Sequence, residues 1–136
     1  MTRRERKRDS RHFFDWLDAA FLDLLSAERL LHDSRLYSNC AFHCQQCAEK
    51  ALKAYILLKS KRLVDGHNLT WLCKQAISYD ATFKEWLDGS VLLSRFYIES
   101  RYPTDLSLSL AEEEILNIMN FTRDMFNFTY QQLYRK

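Results

Sequence analysis

The side chains best suited to chemistry are gathered in one stretch, Asn39 to Leu58, which reads NCAFHCQQCAEKALKAYILL. A helix drawn through it at about 100° per residue places Asn39, His43, Gln46, Lys50 and Lys53 on one face. That face carries an imidazole, two amides and two ammonium groups, donors suited to a phosphate-containing ligand or to an acidic partner. A solvated face with a hydrogen-bonded histidine accounts for the same pattern. His67 follows Gly66 at the start of a further helix and is a candidate for the same region. A third site is Glu99-Ser100-Arg101-Tyr102-Pro103. An arginine beside a proline-fixed turn, near the start of a helix, suits an anion, and a C-capping arginine on the preceding helix explains it equally well.

The same stretch contains Cys40, Cys44 and Cys47 in the pattern C-x3-C-x2-C, the spacing by which radical-SAM enzymes hold an iron–sulfur cluster. That chemistry needs three thiolates converging from a flexible loop, with a large barrel around them. Here the cysteines fall inside a strong helix, in a chain too short for the barrel. His43 and Cys47 are spaced to share a zinc ion, but His43 lies about 100° round from Cys44 and no further ligands are signalled. The cysteines therefore read as reduced, buried small hydrophobes. No metal or cofactor is expected.

The elements that must position these groups follow from composition and periodicity. The chain has 136 residues, with only 2 Gly and 1 Pro against 47% hydrophobic residues. So few breakers exclude a sandwich or barrel, which needs a turn every 8–12 residues or so, and point to one domain of long helices. No signal-peptide pattern opens the chain and no apolar run approaches the ~18 residues of a membrane span, so a cytoplasmic location is expected. Residues 1–12 hold six Lys and Arg against two acidic residues, a net +4, while the remainder is net −2. This basic tail reads as a solvated terminus ahead of a single helical domain over 13–136.

The first helix is expected from Asp9 or Ser10 to about His32, with Phe14, Leu17, Phe21, Leu24 and Leu31 as its apolar stripe. The short link Asp33-Ser34-Arg35 makes the next helix, Leu36 to about Ser60, its antiparallel neighbour. The second helix sets Cys40, Cys44, Cys47, Ala48, Ala51 and Tyr55 inward, small residues that allow close approach and place it centrally. A short helix follows from His67 to about Ser78. A fourth opens at the capping box Thr82-Phe83-Lys84-Glu85 and stops at Pro103. A fifth opens at Ser109-Leu110-Ala111-Glu112 and carries Leu108, Ile115, Met119, Thr122, Phe126 and Leu133. Phe121 and Phe128 lie off that stripe and mark a second apolar face, a candidate dimer surface. The expected architecture is an all-α up-and-down bundle of four long helices and one short one.

The run Ala41-Phe42-His43-Cys44-Gln45-Gln46-Cys47-Ala48-Glu49-Lys50-Ala51-Leu52-Lys53-Ala54 resembles the FHxQQAxEKxLKA helix of HEPN domains (higher eukaryotes and prokaryotes nucleotide-binding). Cys47 replaces an alanine of that pattern, small for small. Gly66-His67-Asn68-Leu69 resembles the small-residue–His-x-Leu start of the family's short helix, and Arg101-Tyr102-Pro103 its RYP turn. The resemblance runs from about Phe14 to Tyr130. It implies a small helical bundle that usually dimerises, and either nucleotide binding or metal-independent RNA cleavage. It also implies a minimal nucleotidyltransferase as partner, in a toxin–antitoxin-like pair. The ribonuclease members carry a histidine separated from the arginine by four to six residues. Here Arg101 stands for the arginine, but Leu106, Ser107 and Leu108 occupy the histidine positions. Cleavage through a 2′-hydroxyl needs a proton acceptor near neutral pH, which arginine cannot be. The expectation is a non-catalytic module in which His43, Gln46, Lys50, Lys53, His67, Arg101 and Tyr102 meet a nucleotide, RNA or partner protein. The alternative is a ribonuclease toxin with a relocated histidine.

Overall fold

The computed structural model describes residues 9–96 and 110–135. Among them the chain forms α1 (Phe13–Leu30), α2 (Tyr37–Ser60), α3 (Leu69–Tyr79), α4 (Leu87–Ser94) and α5 (Glu112–Tyr134), with 3-10 turns over Ser34–Leu36 and Ala81–Trp86. No strand occurs among the described residues. The all-α bundle read from the sequence is the fold observed.

α2 is the axis of the bundle, packed most extensively on α1, then on α5 and α3. Between Cys47 and Leu57 every residue except Lys50 is buried. Such enclosure requires small side chains where helices cross. Ala20 and Ala27 of α1 and Cys40, Ala41, Cys44, Cys47 and Ala51 of α2 are fully buried. α1 and α2 approach so closely that the Cys40 thiol donates to the Ala27 carbonyl at 3.2 Å. The Cys44 thiol lies 3.6 Å from the Met119 thioether of α5. All four cysteines are free and buried. The neighbouring Cys40 sulfur and burial hold the Cys44 thiol well above its ordinary range, and burial pushes up Cys47 and Cys73. A thiol raised in the fold stays protonated while its unfolded counterpart ionises from about the ordinary value of 9.0. Stability is therefore expected to fall as pH rises above that value, visible as a declining urea midpoint. Alkylation by iodoacetamide in native buffer should be slow.

The ends of the helices differ from expectation in instructive ways. α1 begins at Phe13 rather than Asp9 or Ser10, because Ser10 accepts from His12 N and its carbonyl takes the Trp16 indole N–H at 2.9 Å. Its inward stripe is Leu17, Ala20, Leu24 and Ala27, while Phe14 and Phe21 are each 46% exposed. α2 runs to Ser60 and stops on Lys61, a non-glycine at φ 63 whose N–H bonds the Leu57 carbonyl. Gly66 takes φ 90 in the following turn. His67 lies outside α3, which is capped instead by the Asn68 side chain on Trp71 N. The expected capping box at Thr82 is displaced by one turn. Asp80 caps, accepting from Thr82 N and Oγ1, and Ala81–Trp86 winds as a 3-10 turn before α4. α5 starts at Glu112, with Glu114 accepting from Ala111 N at 3.3 Å. The rest of the fourth helix, with Tyr97 and Pro103, and the expected cap Ser109 with Leu108, lie outside the described residues.

α3 buries Leu69, Leu72, Cys73 and Ala76. α5 buries Ile115, Met119, Thr122, Phe126 and Leu133, together with Met125 and Thr129. The second apolar face of α5 is taken up within the chain. Phe128 packs edge-on to Phe83 at 5.0 Å and against Trp86 at 5.3 Å, and Phe121 packs on Trp86 at 5.8 Å. A Cβ at Gly89 would stand 2.1 Å from the Phe121 ring, so only glycine admits this approach of α4 to α5. The C-terminal end of α5 returns to the start of α1, where Tyr134 meets Phe13 at 5.9 Å.

Candidate functional site

Two carboxylates organise the polar face of α2. The first is Asp23 of α1, one turn beyond Ala20 and 8% exposed. Its Oδ1 lies 2.8 Å from Nδ1 of His43 and its Oδ2 2.7 Å from Nζ of Lys50. His43 and Lys50 are seven residues apart on α2, two turns, so both reach one carboxylate of the neighbouring helix. An ionised carboxylate only accepts hydrogen bonds, so Nδ1 of His43 carries the proton and, in the neutral ring, Nε2 is the basic nitrogen. That imidazole is partly exposed, as is Lys50.

The second carboxylate is Glu49, 3% exposed. It receives Lys53 Nζ at 3.2 Å from one turn along α2, and Gln45 Nε2 at 3.2 Å from one turn back. Nδ1 of His67, from the segment before α3, bridges both its oxygens at 2.9 and 3.0 Å. Gln45 also donates to the His67 carbonyl at 3.5 Å and accepts from Gln46 at 2.7 Å. Lys53 is itself buried, with its ammonium 5.6 Å from the centre of the Trp16 ring of α1. The network thus fastens α1, α2 and the segment leading to α3 to one another.

The structure brings His43 together with Lys50, and Lys53 together with His67, each pair on its own carboxylate. Gln46 joins the second group through Gln45. Four cationic or imidazole groups expected to offer themselves to a ligand are instead engaged by Asp23 and Glu49, and Lys53 lies in the interior. Arg101 and Tyr102 lie outside the described residues. Asp23, Gln45 and Glu49 escaped the sequence reading. Glu49 and Lys53 at i and i+4 were a legible pair. Asp23 carried a weaker signal, a lone acid between Ala20 and Ala27 on the small-residue stripe of α1. Among the described residues no group of three or more His, Cys, Asp or Glu is arranged to hold a metal ion.

The HEPN domain family model matches residues 14–133. The chain belongs to the HEPN family. Among solved structures it is similar to TT1696 from Thermus thermophilus, with a TM-score of 0.76 and 22% identity over 88% of this chain and 96% of that one. It is also similar to ST0689, described as an archaeal HEPN homologue, with a TM-score of 0.68 and 25% identity over 89% of this chain and 97% of that one. Among curated proteins no sequence matches. The HEPN match spans α1 to α5, and the helix that carries its FHxQQ-like run is the one on which both carboxylate networks converge. Among the described residues no helix is long and apolar enough to cross a membrane.

Proposed function

We propose that this HEPN chain is a non-catalytic binding module whose ligand, a nucleotide or an RNA segment, is met by His43, Gln46, Lys50, His67, Arg101 and Tyr102. The observation that carries this reading is the anchoring of His43 and Lys50 on Asp23 and of His67 on Glu49. Side chains held this way approach a ligand with little rotamer freedom left to lose. Because the two carboxylates already balance much of the positive charge, His43 and Gln46 contribute hydrogen bonds, and Arg101 supplies the charge for a phosphate. Lys53 acts from the interior by fixing Glu49 and so orienting His67. The module works as a homodimer beside a minimal nucleotidyltransferase, in a toxin–antitoxin-like pair. A row of exposed apolar side chains along α1 and α5, Phe21, Leu22, Leu25 and Tyr130, supports the homodimer.

The test is thermal unfolding against a panel of nucleotides, with a light-scattering mass in the same buffer. A ligand at 100 times its Kd adds about 2.7 kcal/mol to stability. A saturable rise in Tm that is lost in Arg101→Ala supports the module. No rise with any nucleotide or short RNA overturns it and leaves a protein partner as the remaining ligand. Leu22→Glu is expected to convert a dimer to a monomer in the same mass measurement.

One observation favours a second reading, the relocated ribonuclease. An imidazole whose Nδ1 is held by a buried carboxylate presents Nε2 as a general base, the group that attack by a 2′-hydroxyl requires. Metal-independent RNA degradation, abolished in His43→Ala or His67→Ala, would establish that reading in place of the first.

A further inference from the structure

One end of the bundle gathers cations that make no salt bridge among the described residues. α1 begins there, α2 stops there, and α5 returns to it through the contact of Tyr134 with Phe13. Arg11, His12, Phe14 and Lys61 border a cleft of about 400 Å³ between the start of α1 and the end of α2. Round the end of α2, a second cleft of about 460 Å³ is bordered by Lys59, Arg135, Tyr79 and Asp80. Arg62 follows Lys61 and is exposed. Among the described residues Arg11, Lys59, Lys61, Arg62 and Arg135 make no salt bridge, whereas Lys50, Lys53 and Arg123 are all paired. The acids in the segments that meet here are Asp9, Asp15, Asp65 and Asp80. Asp15 is bonded by the Ser10 hydroxyl, and Asp80 is held below its ordinary range by its bonds from Thr82 and, more weakly, by the charges of Arg135 and Lys59. The described chain starts here at Asp9, and the sequence before it adds Arg3, Arg4, Arg6, Lys7 and Arg8 against Glu5.

We propose that this end of the bundle docks single-stranded nucleic acid, its backbone phosphates on Arg11, Lys61, Arg62 and Arg135 and its bases on Phe14 and Tyr134. Charge alone would serve any polyanion. The aromatic rings decide between them. Phe14 stands exposed and stacked on His12 at 5.2 Å, and Tyr134 is 51% exposed beside Tyr130 at 4.8 Å. Flat rings interleaved with cations at solvent are the arrangement on which unpaired bases stack while phosphates are neutralised. An acidic peptide offers these rings no flat partner, and an anionic lipid surface is the competitor that the vesicle displacement below tests. This surface is built from residues other than those of the proposed ligand site, and it stands or falls separately from it.

The experiment is fluorescence anisotropy of a labelled 15-nucleotide oligouridylate with the full chain, over a series of salt concentrations. The wild-type chain should bind, with a log–log salt slope of about −0.7 per phosphate contact. The triple variant Arg11→Glu/Lys61→Glu/Arg62→Glu should bind at least about tenfold more weakly, with a slope shallower by about 2. Phe14→Ala should weaken binding about fivefold or more, and Arg35→Ala, in the turn between α1 and α2 at the other end of the bundle, should leave it unchanged. All of the substituted side chains at this end are exposed, and circular dichroism verifies folding. If the triple variant does not fold, Arg11→Gln/Arg62→Gln takes its place, with half of the four phosphate-contacting charges removed and a correspondingly smaller loss. Equal binding by wild type and charge variants, an undiminished Phe14→Ala, or loss in Arg35→Ala overturns the proposal. So does displacement of the oligonucleotide by polyglutamate or phosphatidylserine vesicles at equal charge concentration.

Discussion

The polar face of α2 and the open end of the bundle are both rich in cations, yet they differ in what answers the charge. On α2, Asp23 and Glu49 lie in the interior and hold Lys50, Lys53 and two imidazoles within hydrogen-bond distance. At the open end Arg11, Lys59, Lys61, Arg62 and Arg135 are exposed and make no salt bridge among the described residues, and only Asp80 lies near Lys59 and Arg135. A buried ion pair is sensitive to loss of either member, because the survivor is left charged in a poorly solvated place. A solvated cation contributes little to the fold and is free to meet a ligand. The same residue types therefore act as structure in one place and as surface potential in the other.

The comparison can be broken or sharpened by substitution. Glu49→Ala should have the largest effect, about 3–5 kcal/mol of stability lost in urea unfolding, because Lys53 would remain buried without a counter-charge. Glu49→Leu combined with Lys53→Met should recover much of that loss, since well-packed apolar residues of similar volume replace a buried pair at little cost. If the single variant unfolds at the wild-type midpoint, Glu49 is not a structural counter-ion. Asp23→Ala should cost less, about 2 kcal/mol, because its partners Lys50 and His43 keep contact with water. A double-mutant cycle of Asp23→Ala with Lys50→Ala should return a coupling of about 0.5–1 kcal/mol, and a value near zero would place the Asp23 pair with ordinary surface pairs. Lys61→Gly should raise stability by about 1 kcal/mol, because glycine takes the left-handed cap at φ 63 without the penalty a side chain carries. Arg62→Ala should change stability by less than about 0.5 kcal/mol. A large loss there would mean that the open end is structural as well.

Much of this architecture was legible beforehand because helix packing is written in local periodicity. Cys40, Cys44, Cys47, Ala51 and Tyr55 recur on one face of α2, and all are buried as that spacing requires. The inward residues of α3 follow in the same way. The stripe of α1 was misplaced onto Phe14 and Phe21, because large rings dominate an apolar pattern while the contact itself is made by Ala20 and Ala27. Starts of helices were displaced where two residues compete for one cap. Thr82 has the right sequence context, but Asp80 reaches its N–H first.

The sequence by itself determined the helices, the central place of α2, the burial of the cysteines and the HEPN family, since each depends on residues close together in the chain. It also supplied the candidate side chains. What only the tertiary structure decided was their company. Asp23 is 20 residues from His43 and 27 from Lys50, and Glu49 is 18 from His67. No local pattern joins such distant residues. They meet because small side chains on α1 and α2 let the helices approach until a carboxylate on one lies within hydrogen-bond reach of the other. At the open end of the bundle, where the helices terminate, the cations make no salt bridge among the described residues.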